Sequence, residues 1–397
     1  MKQIIYNTSK NIFIITFLLL IISCSKEGDI DSTTFYDVAH IETTEQTKVI
    51  SKIEIDTILI QSDIESSFVG DFSVFNDTLY FSDHFFGYLF RFNKEGDFID
   101  KNIGKGNGPN EVRAFNYSIV SADGYYFLDG GSSNLCFFNK NFKKEKDFRV
   151  NWENKRSKQE VLANPVPTLG DSYEFAFGYP GIFKPWDKNH MAIAITAAHP
   201  KFNGYFDTDL YYNHSRILAI LNIDSGKIEK YIGRRSPEYL NYKNVPNFDH
   251  FSFEIIDKQV FVSSMIDPNI YILEKKTGNA IGKFGQQGRD MKTDYPTTST
   301  YKQAEDKWKE DQENFGHYRY IKYITNKKLL FRGYRKGKGA MTDGLQIYKE
   351  NALIGDVAIP KGLEIIGMIG NDFYAENKEM NNDDALKIYK INFTYDK

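Results

Sequence analysis

One short pattern recurs six times along this chain and constrains its fold more than any other feature. An aliphatic and aromatic burst runs into a polar turn. It occurs as Leu89-Phe-Arg-Phe-Asn-Lys-Glu-Gly-Asp97, Leu135-Cys-Phe-Phe-Asn-Lys-Asn141 and Ile217-Leu-Ala-Ile-Leu-Asn-Ile-Asp-Ser-Gly226. It returns as Ile270-Tyr-Ile-Leu-Glu-Lys-Lys-Thr-Gly278, Leu345-Gln-Ile-Tyr-Lys-Glu-Asn351 and Leu386-Lys-Ile-Tyr-Lys-Ile-Asn392. Leu89 and Leu135 open copies 46 residues apart, a spacing that fits a four-stranded repeat of about 40–50 residues. The turns Asn-Lys-Glu-Gly, Asp-Ser-Gly and Lys-Thr-Gly supply the Gly or Asn that hairpins need at positive φ.

Each copy has similar neighbours. A strand after an acidic turn precedes it, as in Asn76-Asp-Thr-Leu-Tyr-Phe-Ser-Asp83, Asp123-Gly-Tyr-Tyr-Phe-Leu-Asp129, Asp257-Lys-Gln-Val-Phe-Val262 and Asn371-Asp-Phe-Tyr-Ala375. Several copies are followed by a further strand ending in glycine: Asp97–Gly104, Lys227–Gly233 and Ala280–Gly285. Units of this kind cannot bury both faces alone and therefore stack. Radial stacking leaves only short edges. The pattern predicts an all-β chain, a six-bladed β-propeller over residues 48–397. A β-sandwich with long insertions is the alternative. The last repeat stops after its third strand, and Val49–Leu59 is a strand available to complete it and close the ring. Two stretches break the spacing. Residues 151–189 are irregular and Pro-containing, and residues 297–313 read as a Ser/Thr-capped, charged helix. Insertions in repeat proteins tend to fall on one face, often the binding face.

The first residues read as an export signal over 1–23. Lys2 and Lys10 precede the apolar run Ile12–Ile22, which is shorter than the about 20 residues a bilayer span needs. Ile21-Ile-Ser-Cys24 resembles a lipobox, so Cys24 is the expected lipid attachment, and a multiply acylated cysteine anchors stably without a membrane-spanning helix. Ser25 after the cysteine resembles lipoproteins sent to the outer membrane. Residues 24–47 are polar and Thr-rich and read as a flexible tether. With Cys24 acylated, Cys136 has no disulfide partner. It is expected as a buried small apolar residue. The net charge is −3, and loss of Lys2 and Lys10 takes it to −5. With no basic stripe, nucleic acid is not an expected partner.

The run from Asn76-Asp-Thr-Leu-Tyr-Phe-Ser-Asp83 through Phe90-Arg-Phe-Asn-Lys-Glu-Gly-Asp-Phe98 to Ile103-Gly-Lys-Gly-Asn-Gly-Pro-Asn-Glu111 resembles the repeat of six-bladed, TolB-like and NHL-like β-propeller lipoproteins of Gram-negative envelopes. The likeness extends from about residue 50 to the end. It implies a fold and a compartment, a lipid-anchored place in the cell envelope at the outer membrane, and little chemistry, because one fold hosts many functions.

Propeller ligands lie at the mouth of the central channel. Two approaches to that mouth match each other: Asn247-Phe-Asp-His250-Phe-Ser-Phe253 and Asn314-Phe-Gly-His317-Tyr-Arg-Tyr320. Asp71 and Tyr117 fall at corresponding positions. His250 and His317, with Asp71, Tyr117 and Arg113, are the candidate ligand-binding residues. Lys105, Arg113, Arg234, Arg235 and Arg289 place cations near one face, where they would suit an acidic ligand. The Gly-rich turns that carry them run strand to strand, which is not the context of a phosphate-binding loop. No Gly-x-Ser-x-Gly and no His-Glu-x-x-His occurs, so no catalytic residue is assigned. The expectation is a binding or scaffold module for a peptide, a glycan or a partner protein, without a cofactor. The alternative is a calcium- or zinc-dependent hydrolase or lactonase in the channel, whose metal ligands the sequence does not identify.

Overall fold

The computed structural model describes residues 37–42, 49–60, 64–177, 181–242, 244–379 and 385–395. The export signal, Cys24 and much of the expected tether lie outside the described residues. Strand β1 (Ile50–Leu59) precedes a series of up-and-down meanders. The first is β2 (Gly70–Phe75), β3 (Thr78–Asp83), β4 (Tyr88–Phe92) and β5 (Phe98–Ile103). The second is β6 (Tyr117–Val120), β7 (Gly124–Asp129), β8 (Asn134–Asn139) and β9 (Lys144–Arg149). In the third, β10 (Tyr173–Phe175) and β11 (Phe183–Asp187) both pair with β12 (His190–Ala197), followed by β13 (Leu218–Asn222) and β14 (Lys227–Ile232). The fourth is β15 (Phe251–Ile256), β16 (Gln259–Ser264), β17 (Ile270–Glu274) and β18 (Ala280–Phe284).

The remaining strands are β19 (Phe315–Ile324), β20 (Leu329–Gly337), β21 (Asp343–Lys349), β22 (Ala352–Ile359), β23 (Leu363–Ile369), β24 (Asp372–Asn377) and β25 (Lys387–Tyr395). They join β1 in one eight-stranded sheet ordered β19-β20-β21-β22-β1-β25-β24-β23. The fold is all-β and propeller-like. Where the sequence predicts six separate blades, the described residues form five sheets. The reason is local. β1 pairs antiparallel with β25 from Ile50↔Tyr395 to Leu59↔Lys387, and also touches β22 in parallel at Ile50↔Gly355. A Cβ at residue 355 would lie 2.9 Å from the Ile50 Cβ. Glycine there lets the two strands approach closely enough to bond.

Local chemistry accounts for the strands. The second strand of a meander is buried on both faces and reads as a continuous apolar run, as in Leu79-Tyr-Phe-Ser. The fourth is more exposed and alternates, as in Lys144–Arg149. Asn76 and Asp77 join β2 to β3 with φ of 45° and 56°, the left-handed pair a two-residue hairpin requires. The first strands make a closed cycle of contacts: β2 touches β6 and β23, β11 touches β6 and β15, and β19 touches β15 and β23.

The irregular segment 151–189 carries α1 (Lys158–Ala163) and both first strands of the third sheet. Pro185 within β11 hid that strand, since proline fits only an edge. Helices α2 (Thr208–His214) and α3 (Glu238–Tyr242) follow. The predicted helix at 297–313 is α4 (Tyr301–Asn314), capped by the Thr300 side chain, which accepts from the Gln303 N–H. Within the expected tether, Ile41 donates its N–H to the Lys283 carbonyl at 2.7 Å, and Lys283 returns a bond to Ala39. That segment covers part of the β18 edge.

Candidate functional site

The inner wall is charged and internally paired. Lys184 on β11 meets Glu254 on β15 at 3.1 Å. Lys378 meets Glu376 of β24 at 2.7 Å and also bonds Asp71 of β2. Arg319 of β19 reaches Glu364 of β23 at 3.1 Å and Glu379 at 2.9 Å, and Arg335 of β20 bonds the same Glu379. Buried charges persist only when paired in this way. Burial raises the Glu364 carboxyl above its ordinary range, and Arg319 opposes the shift.

Above this wall, where β15 and β19 begin, lies a cavity of about 300 Å³, at the lower end for a small-ligand site. His250 and Phe251 line it from the start of β15, and His317 and Arg319 from β19. Arg335 of β20 and Glu364 of β23 also line it. Helix α4 adds Trp308, Lys309, Gln312 and Glu313. The helix is anchored from beneath by Asn247, three residues before His250. Its side-chain amide donates to the Ala304 carbonyl at 3.0 Å and to Asp311 Oδ2 at 2.8 Å, while Gln312 donates back to the Asn247 carbonyl at 2.5 Å.

The two imidazoles are neutral at physiological pH. His317 is 2% exposed. Burial, with help from Arg335 and Arg319 and some opposition from the Phe315 carbonyl, pulls it down to about 3. Its Nδ1–H donates to that carbonyl at 3.0 Å. This fixes the tautomer and leaves Nε2 an acceptor. His250 is likewise held well below its ordinary value, by burial and by Arg235. Arg235 is itself locked underneath, with Nη1 2.5 Å from Asp249 Oδ1 and its guanidinium over the Tyr211 ring at 4.6 Å.

The structure brings together two of the five candidate residues, His250 and His317. Asp71 sits in the inner wall, bonded to Lys378 and 3.1 Å from His84 Nε2; against the burial that would raise it, the Lys378 ammonium and the neighbouring imidazole hold its carboxyl below the usual range. Tyr117 opens β6, half-buried, opposite Leu128. Arg113 lines a separate cavity of about 390 Å³ with Asp129, Asn134 and Arg149. The expectation that Arg234 and Arg235 face an acidic ligand is corrected. Both are buried, Arg234 donating to the Asn213 carbonyl and Arg235 to Asp249. The interior carboxylate of Asp249 needs a counter-ion, and these turns supply it. Cys136 is buried, and burial followed by Asp147 pushes its thiol up to about 12, which leaves it unreactive.

Sequence reasoning missed Arg319, Arg335, Glu364 and Trp308. Arg319 follows His317 by two residues, which was a usable signal, although the strand register shifts between Tyr318 and Tyr320. Among the described residues no three His, Cys, Asp or Glu side chains converge as a metal-ligand set.

No family model matches this sequence, and no curated protein matches it. Solved structures do resemble it. A member of the DUF4221 family from Bacteroides vulgatus ATCC 8482 superposes with a TM-score of 0.64 at 11% identity, over 87% of this chain and 98% of that one. A Bacteroides fragilis NCTC 9343 protein described as exported superposes with a TM-score of 0.52 at 14% identity, over 90% of this chain and 98% of that one. At such identities the likeness shows the fold alone: this chain shares the all-β, propeller-like architecture of these two proteins.

Proposed function

We propose that this chain is a lipid-anchored envelope protein whose propeller is a binding or scaffold module, taking a peptide, glycan or partner protein in the cavity beneath α4. The observation that carries the reading is the meeting of His250 and His317, from matching positions of consecutive repeats, in one cavity that an inserted helix completes. Insertions that build one wall of a pocket are where repeat proteins place their specificity. In this reading the eight-stranded sheet counts as two blades joined at Gly355. The closed cycle β2-β6-β11-β15-β19-β23 supports six, with β1 completing the last. Anchoring through Cys24 follows from the lipobox-like Ile21–Cys24.

The test is a thermal-shift screen of the purified chain against peptide and oligosaccharide libraries, repeated with His250→Ala plus His317→Ala. Stabilising ligands that the double variant no longer takes up support the site. Ligands that stabilise both proteins equally would move it elsewhere. Separately, Cys24→Ser is expected to release the protein from the membrane fraction. Full retention of that variant would remove the lipid anchor from the account.

A further inference from the structure

Helix α4 is mostly charged, yet it carries two large exposed rings. Tyr301 is 63% exposed and Trp308 51% exposed. Seven residues apart, they stand on one stripe of the helix, about 10 Å from each other along its axis. Gln312 continues the stripe into the cavity that Trp308 also lines. At the other end, Tyr205 sets its ring edge-on to Tyr301 at 6.0 Å, and the neighbouring Phe206 is exposed. Ala304 and Asp311, each three residues on from one of the rings and so on the neighbouring stripe, are buried against the body of the protein. An aromatic track therefore leads out of the cavity and along α4.

The cavity has a particular electrostatic character. Its charges balance: Arg319 pairs with Glu364 and Glu379, Arg335 with Glu379, and Lys309 and Glu313 of α4 add one charge of each sign. The lining as a whole favours neither sign of charge on a ligand. His317 is neutral, with its Nδ1–H engaged by Phe315 and Nε2 left as an acceptor. Planar polar groups that accept and donate, beside exposed aromatic faces, suit a ligand with many hydroxyls on flat, C–H-bearing rings. β15 and β19 are each paired on one side only, so a peptide that adds a strand there is the competing ligand the experiment has to distinguish.

Resting on the binding reading above, we infer that the ligand is a neutral oligosaccharide, one sugar ring in the cavity against Trp308 and His317 and the chain continuing over Tyr301. The length of the track selects for several linked rings over a single sugar. A neutral ligand on a charge-balanced wall binds with little dependence on salt.

The experiment titrates the purified full-length chain with neutral gluco-, manno-, galacto- and xylo-oligosaccharides, with oligouronates, and with a mixed peptide library, following tryptophan emission and calorimetry. A neutral oligosaccharide is expected to shift the emission, and the shift is lost in Trp308→Ala. That variant is expected to weaken binding about tenfold. Tyr301→Ala should weaken a hexasaccharide but not a disaccharide. Both rings are exposed, so neither variant threatens folding. His317→Gln is checked for intact β-sheet circular dichroism before use. If oligouronates or peptides bind with dependence on His317 while every neutral oligosaccharide fails, the saccharide inference is overturned and the binding site stands. If no probe binds, or binding ignores both His317→Gln and Trp308→Ala, both readings fall.

Discussion

At the scale of single residues, the strongest constraint is the treatment of buried charge. Arg235 and Asp249 form an enclosed pair directly before His250, with the Tyr211 hydroxyl as a further donor to Asp249. Removing one member leaves the other unpaired in the interior, so Arg235→Leu is expected to cost about 3–5 kcal/mol in urea unfolding. A loss below about 1 kcal/mol would mean the pair is solvated. His317 makes a pH prediction with a definite sign. Its folded value lies near 3, well below the 6.5 of a free imidazole, so the unfolded chain takes up the proton first. The contribution is intact above pH 6.5 and is lost as pH falls toward 3, with a slope of up to about 1.4 kcal/mol per pH unit for this one group. His317→Gln should flatten that slope in denaturant melts taken across the interval. An unchanged slope would place the proton uptake elsewhere, with His250 the next candidate. The histidine pair was legible because the two sequences around it match. The fate of Arg234 and Arg235 was not, because a turn sequence does not say whether an acid waits inside it.

At the scale of elements, α4 is the piece that turns a rim into a pocket. A Ser/Thr-capped, charged helix over 297–313 was readable from its polar run, and the structure starts it at Tyr301. What the sequence did not carry was its attachment, because Asn247 lies more than fifty residues upstream and nothing local links them. Asn247→Ala removes two hydrogen bonds to the helix, one to the Ala304 carbonyl and one to the buried Asp311. It is expected to cost about 1–3 kcal/mol and to raise hydrogen exchange across α4 while the strand amides stay protected. Equal loosening of strands and helix would show that α4 is not a separable wall. The third strands were easy to read since each is a dense apolar burst. β10 and β11 were hidden because they are short and one contains Pro185.

At the scale of the whole molecule, β1 and β25 tie the two ends of the chain into one sheet. The core around them joins Ile50 to Phe331, Leu345, Ile365 and Ile391. Strand-for-strand completion was legible from a last repeat one strand short. The merging of two meanders into one sheet was not, since it depends on Gly355 being bare opposite Ile50. Gly355→Val should force the strands apart and cost about 1–3 kcal/mol, read as a lower midpoint in chemical denaturation. No change in midpoint would show that the parallel contact is dispensable. The paired histidines and the inserted helix converge on one claim, that the cavity under α4 is where this molecule meets its ligand.

The most direct measurement of that claim is hydroxyl-radical footprinting of the protein in the cells that make it beside the purified protein, reading oxidation at Trp308 against Met341, which is 87% exposed and not among the residues lining the cavity. Trp308 is expected to be protected in the cells and Met341 not. Trp308 oxidised equally in both preparations would contradict it.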